Sequence, residues 1–496
     1  MAATKNDIPY ANLNLWWLLA LVALAALRLY GLREAALPDY DSVRNWQIVQ
    51  EVAYGNVHHI FHHGSPGFYL LYAPLAWFTS NYQVFQHVNA LLAVAALGML
   101  IRFVGHHLQL SGWQQALLTL FAGTSVLLTF SGRDFTMSSG SLFCFAGLLG
   151  AYWGRLQQPS RQTLLQAAAW LMLGLCINYK FILTIPILTV LELWHNDGLL
   201  WRRGNLMRVA ALVAAPYLVF GAIGVAAGLR WYLWPAFYYK VAFPDAANAA
   251  GRSNTLRFDA LYYFRYLWNF ESPLLGVGVG LLLLKLRKEW PSRRGQLPFL
   301  PYLLVWAACL LAGMTLLIKA PRGLLWAYPL FYVLAYAGLR QWLSGGVLAG
   351  LIIAAIGFNG YRLQREIYAY TPTRYPQVAT WLQAHGGGKV ASTVSLGLAP
   401  FQPDTVLSVN DERALAALRR WGYRYVLLDS YWRVTGVARF DSLRRLQPVA
   451  AWPEPLLTSP LLFLEHSEYT GLGYEETLAR QRVAKQDTLQ LRLLKL

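Results

Sequence analysis

Charge is scarce in this 496-residue chain, and negative charge scarcest: 24 Asp and Glu stand against 42 Lys and Arg, and charged residues make up only 13%. Cysteine is rarer still. Cys144, Cys176 and Cys309 all fall in apolar runs without metal-ligand spacing, so they read as core packing and exclude a disulfide framework. No fixed-period repeat or low-complexity tract is present, which excludes a solenoid. The apolar stretches do not alternate, which argues against a β-barrel. The first of them is followed by Leu-Arg-Leu-Tyr-Gly-Leu-Arg rather than a small-residue cleavage site, so it is not a cleaved signal peptide.

What the chain has in plenty is apolar and aromatic surface: 56% hydrophobic residues, with 20 Trp, 29 Tyr and 23 Phe. These collect in uncharged runs at Leu13–Leu27, Val84–Ile101, Trp113–Phe130, Phe135–Trp153, Val209–Gly228, Leu297–Ile318 and Leu324–Leu339. Each approaches the ~20 residues a helix needs to cross a bilayer. Several such runs in one chain predict a polytopic α-helical membrane protein.

The net charge of +18 is distributed in a way that excludes nucleic acid as its partner. Basic residues crowd into short turns: Arg155 and Arg161; Arg202, Arg203 and Arg208; Lys285, Arg287, Lys288, Arg293 and Arg294; Arg340. Only Asp197 and Glu289 oppose them. This asymmetry puts those turns in the cytoplasm, with anionic lipids as counterparts. The spans then fall near 12–32, 83–104, 113–131, 135–154, 163–178, 180–195, 206–228, 272–287, 298–318, 322–342 and 346–361. Eleven spans with a cytoplasmic N-terminus leave the C-terminal region outside. Residues 163–195 are too long for one helix and tight for two. The short run Pro66–Phe78 reads as a helix lying at the outer interface.

Three outer segments are large. In residues 33–82, Pro-Asp-Tyr-Asp-Ser precedes Val43, Trp46, Val49, Val52 and Ala53 at helical spacing, ending at Gly55. That pattern predicts an amphipathic interfacial helix with an acidic start at Asp39 and Asp41. Residues 229–271 are dense in aromatics and cations, including Arg230, Lys240, Arg252, Arg257 and Arg265. From about Thr371 the composition shifts. Helices are expected at Pro376–His385 and Asp411–Trp421, and strands at Lys389–Val394, Thr405–Val409 and Tyr425–Asp429. The chain thus divides into a membrane domain, 1–370, and a small α/β domain, 371–496. That domain has neither a Gly-rich phosphate loop nor a Cys/His metal cluster.

Positive charge is out of place in short outer turns, yet Arg133, Lys180, Lys319 and Arg322 sit there on this topology. Converging cations at the outer surface would hold a phosphate, Arg through bidentate hydrogen bonds and Lys as a point charge. Against this, Arg133 has Asp134 beside it as an ordinary ion-pair partner, and all four can snorkel to headgroups. Asp41 is the candidate general base, but an Asp ahead of Ser-Val-Arg also makes a good N-cap, and Asp39 could exchange roles with it. The pairs His58-His59 and His62-His63 fit no common metal spacing and read as interfacial. No metal site is indicated, although outer carboxylates and histidines leave a divalent ion open.

Taken in order, these elements resemble the GT-C superfamily of integral-membrane glycosyltransferases. The likeness is to the branch holding protein O-mannosyltransferases and bacterial lipid A aminoarabinose transferases. Leu37-Pro-Asp-Tyr-Asp41-Ser42 through Gly55 looks like the acidic pair that opens that family's first interfacial helix, with Ser42 where the family usually carries Glu. Gly64-Ser65-Pro66-Gly67-Phe68-Tyr69 is similar to its Pro/Tyr stretch. Ser-Gly-Arg133-Asp134, Asn178-Tyr179-Lys180 and Lys319-Ala-Pro-Arg322 look like its later outer turns. The resemblance covers roughly residues 12–361. It implies an inverting transfer of a monosaccharide from a polyprenyl-phosphate carrier to a glycan, lipid or protein acceptor in a bacterial inner membrane, with no nucleotide. Asp41, or Asp39, would be the base. Arg133, Lys180, Lys319, Arg322 and Lys240 would hold the donor phosphate, and His63, Pro66, Tyr69, Asp134 and Tyr179 would line the pocket. The rival reading is a transporter or flippase of a lipid-linked sugar or another amphiphile. Its broken mid-membrane helices would contrast with unusual charges that here lie at outer ends.

Overall fold

The computed structural model describes residues 14–195, 197–242, 259–289, 297–317, 319–393, 396–402, 405–436, 440 and 442–496, without the side chains of 238–242 and 288–289. Lys240, Arg252 and Arg257, expected near the donor, therefore lie outside the described side chains.

Helices occupy every segment that the apolar runs mark out. The first span is α1 (Leu15–Leu29), capped at Asn14. Two helices of residues 33–82 follow, α2 (Tyr40–Ala53) and α3 (Pro66–Ala76). Then come α4 (Tyr82–His107), α5 (Gly112–Gly123), α6 (Val126–Arg133), α7 (Ser138–Gln157) and α8 (Arg161–Ile177). The tight stretch 163–195 resolves as two helices, α8 and the short α9 (Thr184–His195), joined by a 3-10 turn at Tyr179–Leu183. The remainder of the apolar part is α10 (Arg203–Ala226), α11 (Leu233–Ala242), α12 (Tyr262–Phe270), α13 (Leu274–Glu289), α14 (Phe299–Leu316), α15 (Ala327–Arg340) and α16 (Gly345–Glu366).

Five stretches are long and apolar enough to cross a membrane: Leu15–Glu34, Tyr82–His107, Arg203–Ala226, Phe299–Leu316 and Gly345–Ala384. A sixth is α5 with α6, taken as one span bent by 72°. The protein is a multi-pass membrane protein.

The bend between α5 and α6 shows how backbone is satisfied where water is absent. Breaking a helix frees amides on one side and carbonyls on the other, and each needs a partner. The carboxylate of Glu271 accepts from Val126 N (3.3 Å), Leu127 N (3.0 Å), the Ser125 hydroxyl (3.1 Å) and Tyr332 (2.7 Å). On the other side Arg28 Nη2 donates to the Gly123 carbonyl at 2.8 Å. Two buried charges thus close the ends of one break. Nearby, α13 and α15 touch backbone to backbone: a Cβ on Gly338 would stand 1.9 Å from the Gly278 carbonyl oxygen.

Beyond α16 the chain folds as α17 (Tyr375–Ala384), β1 (Lys389–Thr393), β2 (Val406–Val409), α18 (Leu415–Arg420), β3 (Tyr423–Leu428) and α19 (Tyr431–Thr435). It continues with β4 (Ala450–Trp452), α20 (Pro460–Glu465), α21 (Ser467–Thr470), α22 (Tyr474–Lys485) and β5 (Leu491–Lys495). The sheet order is β2-β1-β3-β5-β4, parallel through the first three strands and antiparallel at β5 and β4. Val390, Val426, Leu427, Leu491 and Leu493 centre its own apolar core. The expected strands and the helix α17 are present within a residue or two, with Val394 outside the described residues, whereas α18 starts four residues later than expected, after a 3-10 turn at Glu412–Ala414. The expectation lacked β4, β5 and the helices α19, α20, α21 and α22.

Candidate active site

The site is built on the first turn of α2. Asp39, not Asp41, is its N-cap: its carboxylate accepts from Ser42 N at 2.9 Å and from the Ser42 hydroxyl at 2.7 Å. That assignment corrects the capping role considered for Asp41. With capping done by Asp39, the Asp41 carboxylate turns elsewhere, and His63 Nε2 lies 3.1 Å from its Oδ1 and Arg322 Nη2 3.9 Å from its Oδ2. His63 reaches it from a left-handed turn, φ +55°, that precedes Pro66 at the start of α3. Its Nδ1 lies 3.3 Å from Asn45 Oδ1, and Asn45 also accepts from Tyr69 at 3.1 Å. Burial works against ionisation at Asp41, but His63, Arg322 and His466 outweigh it and hold the carboxyl well below the usual carboxylate range.

The C-terminal part supplies the other wall. The short helices α20 and α21 flank His466 and bring Glu465, His466 and Glu468 onto the same turn as Arg322. Arg322 Nη2 lies 2.6 Å from Glu468 Oε1, and its Nε lies 3.4 Å from Glu465 Oε2. Its backbone N donates to Glu465 Oε1 at 3.0 Å. Nη1 has no hydrogen-bond partner among the described residues. His466 Nε2 lies 3.0 Å from Asp39 Oδ2 and 2.9 Å from the Tyr431 hydroxyl. Burial pushes Glu465 up to about 7 despite Arg322, Lys180 and His466. For Glu468 burial acts the same way, yet Arg322 and Lys180 win and lower it.

Lys180 belongs to this cluster. Its backbone N is capped by Asn178 at 3.0 Å, while its half-buried ammonium has no hydrogen bond or ion pair among the described residues. It is close enough to Arg322, Glu468, Glu465 and Asp41 to feel their charges. Burial and Arg322 push the ammonium down from its ordinary range, and the three carboxylates oppose them.

Two of the expected phosphate ligands go elsewhere. Arg133 Nη1 donates to the carbonyls of Arg28 (2.8 Å) and Tyr30 (2.6 Å), and its guanidinium lies over the Tyr368 ring at 5.1 Å. It closes the open end of α1, because the last carbonyls of a helix need donors. Lys319 donates to the Leu317 carbonyl at 3.3 Å and faces Asp259 rather than the cluster. Tyr179 packs edge-on against Phe237, 5.2 Å between centroids. Asp134 is in the site, 2.5 Å from the Ser42 hydroxyl. No group of three or more His, Cys, Asp or Glu able to hold a metal occurs among the described residues.

Glu465, His466 and Glu468 carried no spacing signal, being more than 400 residues from Asp39. The one available clue was three ionisable residues in Leu-Glu-His-Ser-Glu directly after the apolar Leu461–Phe463.

Fold and site together define a multi-pass membrane protein with a carboxylate and cation cluster shared between its apolar part and a small mixed-sheet part. No protein-family model matches the sequence, and no curated protein matches it. Among solved structures it is similar to ArnT from Cupriavidus metallidurans in the apo state, with 17% identity and a TM-score of 0.46 over 75% of this chain and 70% of that one. It is also similar to the same protein bound to undecaprenyl phosphate, with 15% identity and a TM-score of 0.45 over 95% of this chain and 88% of that one. At this level of likeness the reading of the site rests on its own geometry.

Proposed function

We propose that this chain is an inverting glycosyltransferase of the inner membrane of a bacterium. It would take a monosaccharide from a polyprenyl-phosphate carrier and pass it to an acceptor hydroxyl or amine on the outer face. In this reading all eleven helical segments traverse or enter the bilayer, residues 1–370 form the catalytic membrane domain, and residues 371–496 lie in the periplasm.

The observation that carries the reading is the meeting of Asp41 with two cationic groups that have donors to spare, the Lys180 ammonium and Arg322 Nη1. A phosphate monoanion bridging them would gain charge-assisted hydrogen bonds without breaking the ion pairs to Glu465 and Glu468. The acceptor oxygen or nitrogen then attacks the anomeric carbon from the face opposite the phosphate. The new bond forms as the carbon–oxygen bond to phosphate breaks, the electron pair leaves on the phosphate, and Asp41 takes the acceptor proton. Lys180 and Arg322 stabilise the charge that grows on the departing phosphate.

A strongly acidic Asp41 is a weak base, and donor binding mends this. Arg322 is one of the groups that hold Asp41 down, so a phosphate seated on it cancels part of that field and raises the basicity of Asp41. The base is strengthened only when the donor is present.

Mass spectrometry of the co-purified lipid, with comparison of envelope glycans before and after gene deletion, identifies donor and acceptor class. Asp41→Asn is then expected to abolish transfer while the lipid donor still co-purifies. Full transfer by that variant, or flux of the lipid-linked sugar across vesicles without any acceptor, would refute the assignment.

A further inference from the structure

Between Asp39 and Asp134 the hydrogen atoms can be counted. The Ser42 hydroxyl oxygen lies 2.7 Å from Asp39 Oδ1 and 2.5 Å from Asp134 Oδ1. All three residues are buried: Ser42 is fully covered, and Asp39 and Asp134 are 3% and 8% exposed. Two oxygen–oxygen contacts this short each need a hydrogen between them, and the serine hydroxyl has one. The second must sit on a carboxyl group. Asp39 already receives Ser42 N and faces His466, so it is the oxygen pair best supplied with donors. Apart from Ser42, Asp134 meets among the described residues only the Phe135 amide, which donates to its Oδ1 at 2.6 Å.

The charged surroundings agree with that placement. Asp39 faces Asp134 from the start of α2, and Glu465 and His466 from the end of α20. Arg322 faces it from the turn before α15, partnered by Glu468 and Glu465. On its own side Arg133 is spent on the carbonyls of Arg28 and Tyr30, and Glu366 across the adjoining cavity is paired to Arg365. Burial raises Asp134 well above the usual carboxylate range, and the charge on Asp39 raises it further.

We infer that Asp134 is a standing carboxylic acid that donates to the Ser42 hydroxyl, which donates in turn to ionised Asp39, so that the start of α2 is pinned and the Asp41 carboxylate is left to face His63 and Arg322. The catalytic consequence rests on Asp41 being the base; the protonation of Asp134 does not. Asp134 is a positioning residue: its hydrogen bonds run through Ser42 to Asp39, the cap of the helix that carries Asp41. Ser42, where the family that the sequence resembles usually carries Glu, is the neutral link between the two acids.

Infrared difference spectroscopy on the full-length protein in nanodiscs at neutral pH tests it directly. Wild type minus Asp134→Asn is expected to show a protonated carboxyl C=O band that shifts in D₂O. Ser42→Ala removes the acceptor and is expected to move that band to higher frequency. A carboxylate band in place of the acid band, or no shift in Ser42→Ala, would overturn the inference. Should Asp134→Asn fold poorly, the Ser42→Ala difference alone decides. Thermal midpoints give a second reading. An acid with a raised folded value stabilises fully at low pH and loses that contribution as pH climbs through the value, so wild type should lose more stability toward alkaline pH than Asp134→Asn, which keeps only the share of Glu465 and Glu454. An acid band with no glycosyl transfer in any assay would leave this inference standing and sink the proposed function.

Discussion

Single cations with the same apparent signature do different work here. Arg133, Lys180, Lys319 and Arg322 all sit in turns that the charge asymmetry of the sequence assigns to the outer side, and nothing in their local sequence separates them. What separates them is distance along the chain: the carbonyls that take Arg133 belong to Arg28 and Tyr30, more than 100 residues earlier. Arg133→Ala removes charge-assisted hydrogen bonds to buried carbonyls, a loss of about 1.5–3 kcal/mol, and should lower the melting midpoint without changing donor affinity. Lys180→Ala should do the reverse. An unpaired, half-buried ammonium is a cost to the fold, so its removal is expected to leave the midpoint unchanged or higher. It should weaken polyprenyl-phosphate binding about tenfold, the equivalent of ~1.4 kcal/mol. Melting curves of both variants with and without polyprenyl phosphate separate the two roles, and equal loss of binding in both would reject the distinction.

Elements were legible where periodicity or capping chemistry is local. The helix α2 was expected from Val43, Trp46, Val49, Val52 and Ala53, and it starts at the predicted acidic pair. Which of the two acids caps it was not readable, because either satisfies the same rule; the His63 turn and Arg322 decide it by drawing Asp41 away. The 72° break in the span 113–131 was invisible for a different reason. Its sequence, Ala-Gly-Thr-Ser, is unremarkable for a membrane helix, and the group that makes the break tolerable is Glu271, about 145 residues on. Glu271→Gln keeps one acceptor but turns an NH₂ toward one of the two amides, that of Val126 or that of Leu127. A buried amide left unpaired costs about 1–3 kcal/mol, so the melting midpoint should fall measurably. Glu271→Asp, which retains the charge but shortens the reach, should fall less if the charge matters more than the geometry.

At the scale of the whole molecule the site exists only because two parts of the chain close on each other. The small mixed-sheet part was foreseen as a fold, from alternating strand and helix signals after Thr371, but not as a contributor to the site. Contacts such as His466 with Asp39 join residues more than 400 apart, and no single-sequence pattern encodes them. This union has a consequence that can be measured. Glu465, buried and raised to about 7, shares Arg322 with Glu468 and Asp41. Below pH 7 it is largely neutral, and the cluster around Arg322 and Lys180 carries one negative charge fewer. Above pH 7 it ionises, competes with phosphate for the guanidinium and repels the incoming anion. Donor binding should therefore take up a proton and weaken as pH rises through about 7, by several-fold between pH 6 and pH 8. Glu465→Gln fixes the neutral form, and its affinity should stay at the low-pH level across that range apart from the titration of the phosphate itself. A lipid with a phosphodiester headgroup, which stays singly charged over that range, removes that last effect. Titrating wild type and Glu465→Gln with polyprenyl phosphodiester in nanodiscs at both pH values measures the difference. Parallel curves for the two proteins would mean that Glu465 does not govern the cation site, and that the C-terminal part only braces Arg322.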